Sequence, residues 1–140
     1  MRQRLIILVG LPGSGKSTFY REKLSDLVLV SKDLMSPNTR RKDERQREQI
    51  VASLREGRSV VVDNTNPTRE ARAPLIALGK SLGAQIVGYY FSAGVKECIA
   101  RNAGREGRAR VPNVAIFAIA KKLEPPVVEE GFDELHVVSE

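Results

Sequence analysis

A chain of 140 residues is long enough to bury a real core and is expected to form one domain over 1–140. Its 41% hydrophobic and 29% charged residues are ordinary for a globular protein, no apolar run approaches the roughly 18 residues of a membrane span, and one cysteine excludes an internal disulfide and suits a reducing cytoplasm. The net charge of +6 points to an anionic partner, and one histidine with one cysteine cannot build a metal site of their own.

The first predicted strand, Leu5–Val9, is wholly apolar and runs directly into Gly10-Leu11-Pro12-Gly13-Ser14-Gly15-Lys16-Ser17-Thr18. That stretch fits G-x-x-x-x-G-K-[ST], and a helix is predicted after it over Lys16–Leu24. Strand, glycine turn and helix start together make a phosphate-binding loop, in which backbone N–H groups converge on an anion. Gly13, Ser14, Gly15, Lys16, Ser17 and Thr18 are therefore expected to hold ATP. Lys16 would reach the β- and γ-phosphates, and the Ser17 hydroxyl would ligate Mg²⁺. Only five apolar residues precede this loop, too few for a signal peptide.

A second strand over Leu27–Ser31 delivers Ser31-Lys32-Asp33. The helix expected over Arg41–Glu56 opens on a basic stretch of Arg40, Arg41, Lys42, Arg45 and Arg47. Asp43, Glu44 and Glu48 interrupt it, so a surface for an anionic partner and a solvated helix face both fit. Ser59–Asp63 is β-branched and apolar, as a central parallel strand should be, and ends in Asp63-Asn64-Thr65-Asn66. In the helix over Thr68–Leu82, Ala71, Leu75, Leu78 and Leu82 share one face. Pro74 disturbs its first half and predicts a start near Ala73. A strand at Gln85–Phe91, helices at Val95–Asn102 and Asn113–Leu123, and a strand at Glu134–Val138 complete the order. Alternating strands and helices predict an α/β fold, a parallel sheet covered on both faces.

Parallel sheets bind ligands beyond the carboxyl ends of their strands, where Asp33 and Asp63 fall beside the loop. Asp63 occupies the position that orients Mg²⁺ or the Ser17 hydroxyl. Asp33 lies further out, where it either accepts the proton of an attacking hydroxyl or caps the next segment. Asn64 follows Asp63 where hydrolytic ATPases place a second carboxylate, which favours transfer to a bound hydroxyl over hydrolysis. Asn64, Thr65 and Asn66 either hold that acceptor or form an Asx-type turn. Arg101, Arg105 and Arg108, punctuated by Gly104 and Gly107, predict a lid over about 101–112 whose guanidinium groups meet the transferring phosphoryl.

With the glycine loop, Ser31-Lys32-Asp33, Val61-Val62-Asp63-Asn64-Thr65-Asn66, the Arg101-Asn102-x-x-Arg105 run, Val111-Pro112 and the closing Leu123–Leu135 segment in order, nearly the whole chain resembles the polynucleotide 5′-kinase family. The resemblance implies a three-layer P-loop kinase fold with a parallel five-stranded sheet in the order 2-3-1-4-5. It implies transfer of the ATP γ-phosphate to the 5′-hydroxyl of DNA or RNA. It also assigns Lys16, Asp33 and Arg105 as catalytic, with Asp33 the base and Arg101 near the nucleotide. One position departs from the family: Ser36 stands where an arginine contacts the acceptor phosphate, and Arg40 or Arg41 is the candidate replacement. That departure keeps a small-molecule kinase, for a nucleoside or a sugar, as the alternative; a non-catalytic nucleotide-binding module is the third reading.

Overall fold

Five strands, Arg4–Val9 (β1), Val28–Val30 (β2), Val60–Asp63 (β3), Gln85–Phe91 (β4) and Glu134–Val138 (β5), form one sheet in the order β2-β3-β1-β4-β5. All neighbouring pairs are parallel. The structure, a computed structural model, describes residues 2–107 and 110–139; Arg108, one of the expected lid arginines, lies outside them.

The sheet is built on β1. Leu5, Ile7 and Val9 pack with Ile50, Leu54, Leu75 and Ile76 on one face, and Ile6 and Leu8 pack with Leu24, Val61 and Phe91 on the other. Each such fully buried aliphatic side chain contributes about 1.5–3 kcal/mol, so a strand apolar on both faces is driven to the centre. The helices Lys42–Arg55 (α2) and Arg69–Ser81 (α3) cover the first face. The helix Lys16–Phe19 (α1) continues as a π-helical stretch, Tyr20–Leu24, on the second. In this wider turn the Tyr20 hydroxyl donates to the Leu27 carbonyl at 2.7 Å. Helices Val95–Ala103 (α4) and Asn113–Lys122 (α5) pack on each other around Cys98 and Ile116, with Leu11 of the glycine loop between them. Among the described residues no helix is long and apolar enough to cross a membrane.

Two expectations need correction. Pro74 does not delay α3, which runs from Arg69 with Thr68 as its cap, the Thr68 hydroxyl accepting from the Ala71 N–H at 3.0 Å. The cap and the buried Arg72, Leu75 and Ile76 hold the helix across the one hydrogen bond that proline removes. The predicted helix at Lys16–Leu24 is α-helical only over its first four residues.

Register places the site. Leu8 pairs with Asp63 and Val30 with Val62, so β1, β3 and β2 end at one level. The glycine loop, Asp63 and the Ser31–Asp33 turn leave the sheet side by side.

Candidate active site

The chain leaves β1 at Gly10 and turns at once, the Ser14 N–H donating to the Leu11 carbonyl at 3.1 Å. Gly13 and Gly15 take φ of 83° and 102°, the left-handed region that strains any other residue. Gly13 is held a second way: a Cβ there would come within 2.6 Å of the Cys98 carbonyl oxygen. Helix α4 therefore floors the loop at backbone contact. Among the described residues, the Ser14 hydroxyl is the one buried side-chain polar atom without a hydrogen-bond partner, an orphaned donor that a phosphate oxygen would satisfy.

Lys16 is buried, and its ammonium donates to the Gly10 and Leu11 carbonyls at 2.9 and 2.8 Å. Burial lowers its pKa to about 8; Arg105 adds to the lowering, and Asp63 and Asp33 oppose it. The Ser17 hydroxyl donates to Asp63 Oδ2 at 3.3 Å. Burial raises the Asp63 carboxyl above its ordinary value, against the pull of Lys16 and of the Ser17 hydrogen bond. A buried cation and a half-buried acid beside an orphaned donor form a corner in which added anionic charge and its counter-ion are both accommodated.

Beyond β2 the chain makes a one-turn 3₁₀ helix, Lys32–Leu34, capped by Ser31, whose hydroxyl accepts from the Asp33 N–H at 3.2 Å. Ser31 and not Asp33 is the cap of this turn. The Asp33 carboxyl is exposed and bears electrostatically on both Lys16 and Asp63. Asn64 fixes this turn: its Oδ1 accepts from the Lys32 N–H at 3.0 Å, and its Nδ2 donates to the buried Gln46 of α2 at 2.6 Å. Lys32 in turn pairs with Asp43 on α2.

Asn64 and Thr65 line a cavity of about 630 Å³ between α2 and α3. Asn66 borders it too, but its side chain is turned inward, buried and donating to the Leu8 carbonyl at 2.8 Å. The amide expected to face an acceptor instead holds the loop, at a φ of 44°. Arg40 and Arg41 line a different cleft, of about 1190 Å³, along the edge of β2 with Leu34, Met35 and Arg45. Lys32 lines the first cavity and Leu34 the second, so the Asp33 turn stands between them.

On the opposite side, Thr18, Phe91, Arg101, Arg105 and Ser139 close a third cavity, of about 560 Å³, over Gly13, Ser14 and Gly15. Arg101 Nη1 donates to the Gly13 carbonyl at 3.2 Å. Arg105 acts electrostatically on Lys16 and Asp63, which brings the described lid arginines to the glycine loop. The fully buried Asn102 amide donates to the Val111 carbonyl and accepts from the Val111 N–H at 2.9 Å, tying the end of α4 to the residues just before α5.

Sequence reasoning missed Asn102, Gln46 and an ion pair, Arg72 with Glu130. Arg72 is fully buried, and its Nε and Nη2 donate to Glu130 at 2.8 and 3.0 Å. A signal existed: Arg72 falls on the same helical stripe as Leu75, Ile76 and Gly79, where a charge demands a partner. The partner is 58 residues away, and no periodicity points to it.

A family model described as an AAA domain matches residues 5–126. The chain is 27% identical over 139 residues to a bifunctional polynucleotide phosphatase/kinase of Schizosaccharomyces pombe, covering 97% of this chain and 33% of that protein. It is 30% identical to a chain of a Pnkp1/Rnl/Hen1 complex, with a TM-score of 0.63 over 71% of this chain and 39% of that one. A gluconokinase of Sinorhizobium meliloti shares the fold at a TM-score of 0.67, with 19% identity and coverage of 99% and 84%. The chain spans about a third of the length of the phosphatase/kinase relative.

Proposed function

We propose that this chain, which belongs to the AAA-domain family matched over residues 5–126, transfers the γ-phosphoryl group of ATP to the 5′-hydroxyl of a nucleic acid end. The observation that carries this reading is Asp33, whose carboxyl bears electrostatically on Lys16 and Asp63 while the next residue, Leu34, lines the cleft that holds Arg40, Arg41 and Arg45 together with Glu44 and Glu48.

The residues present fit a magnesium nucleotide. The glycine loop has the conformation of an anion cradle with an orphaned Ser14 hydroxyl, and Ser17 with Asp63 would hold Mg²⁺. Bound there, the ion would offset phosphate charge. Among the described residues no group of three His, Cys, Asp or Glu could hold a metal ion, so phosphate oxygens would complete its shell. Lys16 exchanges its two loop carbonyls for phosphate oxygens. The Asp33 carboxylate takes the proton of the acceptor hydroxyl while that oxygen bonds to the γ-phosphorus and the bond to the β-phosphate oxygen breaks, releasing ADP. Arg101 and Arg105 spread over the charge that develops on the transferring group. Arg40, Arg41 and Arg45 receive the continuing strand's phosphates, the work that Ser36 leaves undone. The single thiol, Cys98, is buried and suits a cytoplasmic setting.

A second reading, a kinase for a small alcohol, rests on Ser36 and on the compact cavity beside Asn64 and Thr65. Labelled ATP offered to 5′-hydroxyl DNA and RNA oligonucleotides, nucleosides and sugars separates the two. Label on the oligonucleotides is the expected result. Label confined to nucleosides or sugars selects the second reading, and transfer to none of them overturns both.

A further inference from the structure

We propose that Arg72 and Glu130 are positioning residues of the nucleotide site: the segment 124–130 straps the loop between β3 and α3 and, through it, sets the backbone at which the glycine loop begins. The inference rests on the glycine loop being a nucleotide cradle and not on the identity of the acceptor.

The connection is continuous. Glu130 ends a one-turn 3₁₀ helix, Val128–Glu130, and its Oε2 accepts from the Val127 N–H at 3.0 Å as well as from Arg72. The third donor of Arg72, Nη1, goes to the Asn66 carbonyl at 2.9 Å. Asn66 sits at a φ of 44°, a left-handed conformation that asparagine adopts more readily than most residues with a side chain. Arg72 holds its carbonyl, and the Leu8 carbonyl holds its side-chain amide. One residue earlier, the Thr65 carbonyl accepts from the Gly10 N–H at 3.1 Å, at the mouth of the glycine loop. The strap is tied at its other end too: the Glu124 N–H donates to the Pro67 carbonyl at 2.7 Å, and its carboxylate accepts from the Arg69 N–H at 3.1 Å.

Stability alone is a weak reason for this pair. An apolar pair of similar volume in place of a buried ion pair often stabilises a protein equally well. What apolar residues cannot do is donate a hydrogen bond to Asn66 and hold that turn. The Glu130 carboxyl lies below its ordinary value: burial would raise it, and the Arg72 and Val127 hydrogen bonds outweigh burial. A charged pair with a further donor aimed at the Asn66 carbonyl is a device for geometry.

The test is the double variant R72M/E130L, which keeps the buried volume and deletes the tether. Expected are a cooperative melt within a few degrees of the wild type, amide exchange at Gly10 at least tenfold faster, and affinity for a non-hydrolysable ATP analogue at least tenfold weaker. E130Q, which retains one acceptor oxygen for Arg72, should recover part of both losses. A folded double variant with wild-type exchange at Gly10 and wild-type analogue affinity overturns the proposal, leaving the pair a staple. If the double variant does not fold, E130Q is measured the same way, and wild-type values for it overturn the proposal equally. Absence of analogue binding by the wild type would instead sink the nucleotide reading, and the exchange rate at Gly10 would still judge the strap.

Discussion

Lys16 carries a charge that its surroundings disfavour, and two consequences follow from its pKa of about 8. In the unfolded chain the group titrates at its ordinary 10.5, so between about 8 and 10.5 the unfolded state binds more protons and stability rises with pH. Below about 8 the cost is constant. A bound triphosphate restores the charge, so nucleotide binding near pH 8 to 9 should take up protons. Calorimetry in buffers of different ionisation enthalpy measures that uptake, which should vanish by pH 6; binding without proton exchange across pH 7 to 9 would contradict the lowered value. At Asp33, substitution by alanine should reduce turnover by about 10²–10⁴, the range for a general base, while equilibrium dialysis shows unchanged ATP binding. The positions of local motifs were legible. The spacing of Gly10, Gly15, Lys16 and Ser17 announces the loop, and the strand ends bring Asp33 and Asp63 to the same side of the sheet as that loop. The role of Asn66 was not legible, because nothing in Asn64-Thr65-Asn66 shows which amide turns inward.

Elements were legible wherever burial agreed with propensity. β1 from Leu5 to Val9 and β3 from Val60 to Val62 are wholly apolar, and the edges of both strands matched to within a residue. Helix α3 shows where local rules lose to tertiary ones: a proline at its sixth position argues for a later start, yet the Thr68 cap and the Arg72 anchor win. Pro74 is exposed, so Pro74→Ala should restore the missing hydrogen bond and raise the melting temperature by a few degrees, which corresponds to about 1 kcal/mol for a domain of this size. The end of α4 is tied to the approach to α5 by Asn102, whose side chain copies the hydrogen bonding of a strand partner toward Val111. Asn102→Ala leaves two backbone groups unpaired, a cost of about 1–3 kcal/mol each if they stay buried. We expect a lower melting temperature and a KM for ATP raised about tenfold, with Asn102→Asp recovering less than half because it lacks the donor. An unchanged KM in a destabilised variant would confine Asn102 to folding. The sequence hid this role because asparagine before Ala103-Gly104 also reads as an ordinary helix ending.

At the scale of the molecule, the net charge of +6 is informative only through its placement. Arg40, Arg41 and Arg45 face one cleft, so the logarithm of KM for a decamer acceptor should climb with the logarithm of salt concentration at a slope of about 2, three contacts at roughly 0.7 each. A free nucleoside should show no such slope. Equal slopes for the two would remove the cleft from the acceptor's path. The sheet order was implied by the family resemblance more than by any periodicity, and the Arg72–Glu130 link was invisible to both, since it joins groups far apart in sequence that only the finished fold brings together.

One consequence of the packing of Gly13 on the Cys98 carbonyl reaches beyond the loop itself. The helix beneath the glycine loop is the same one whose far end bears Arg101, itself bonded to the Gly13 carbonyl, so the loop and α4 are expected to move as one body. Spin labels on α4 and α1 should therefore keep one separation with and without a bound nucleotide analogue, and a change in that separation would show that the helix and the loop part company.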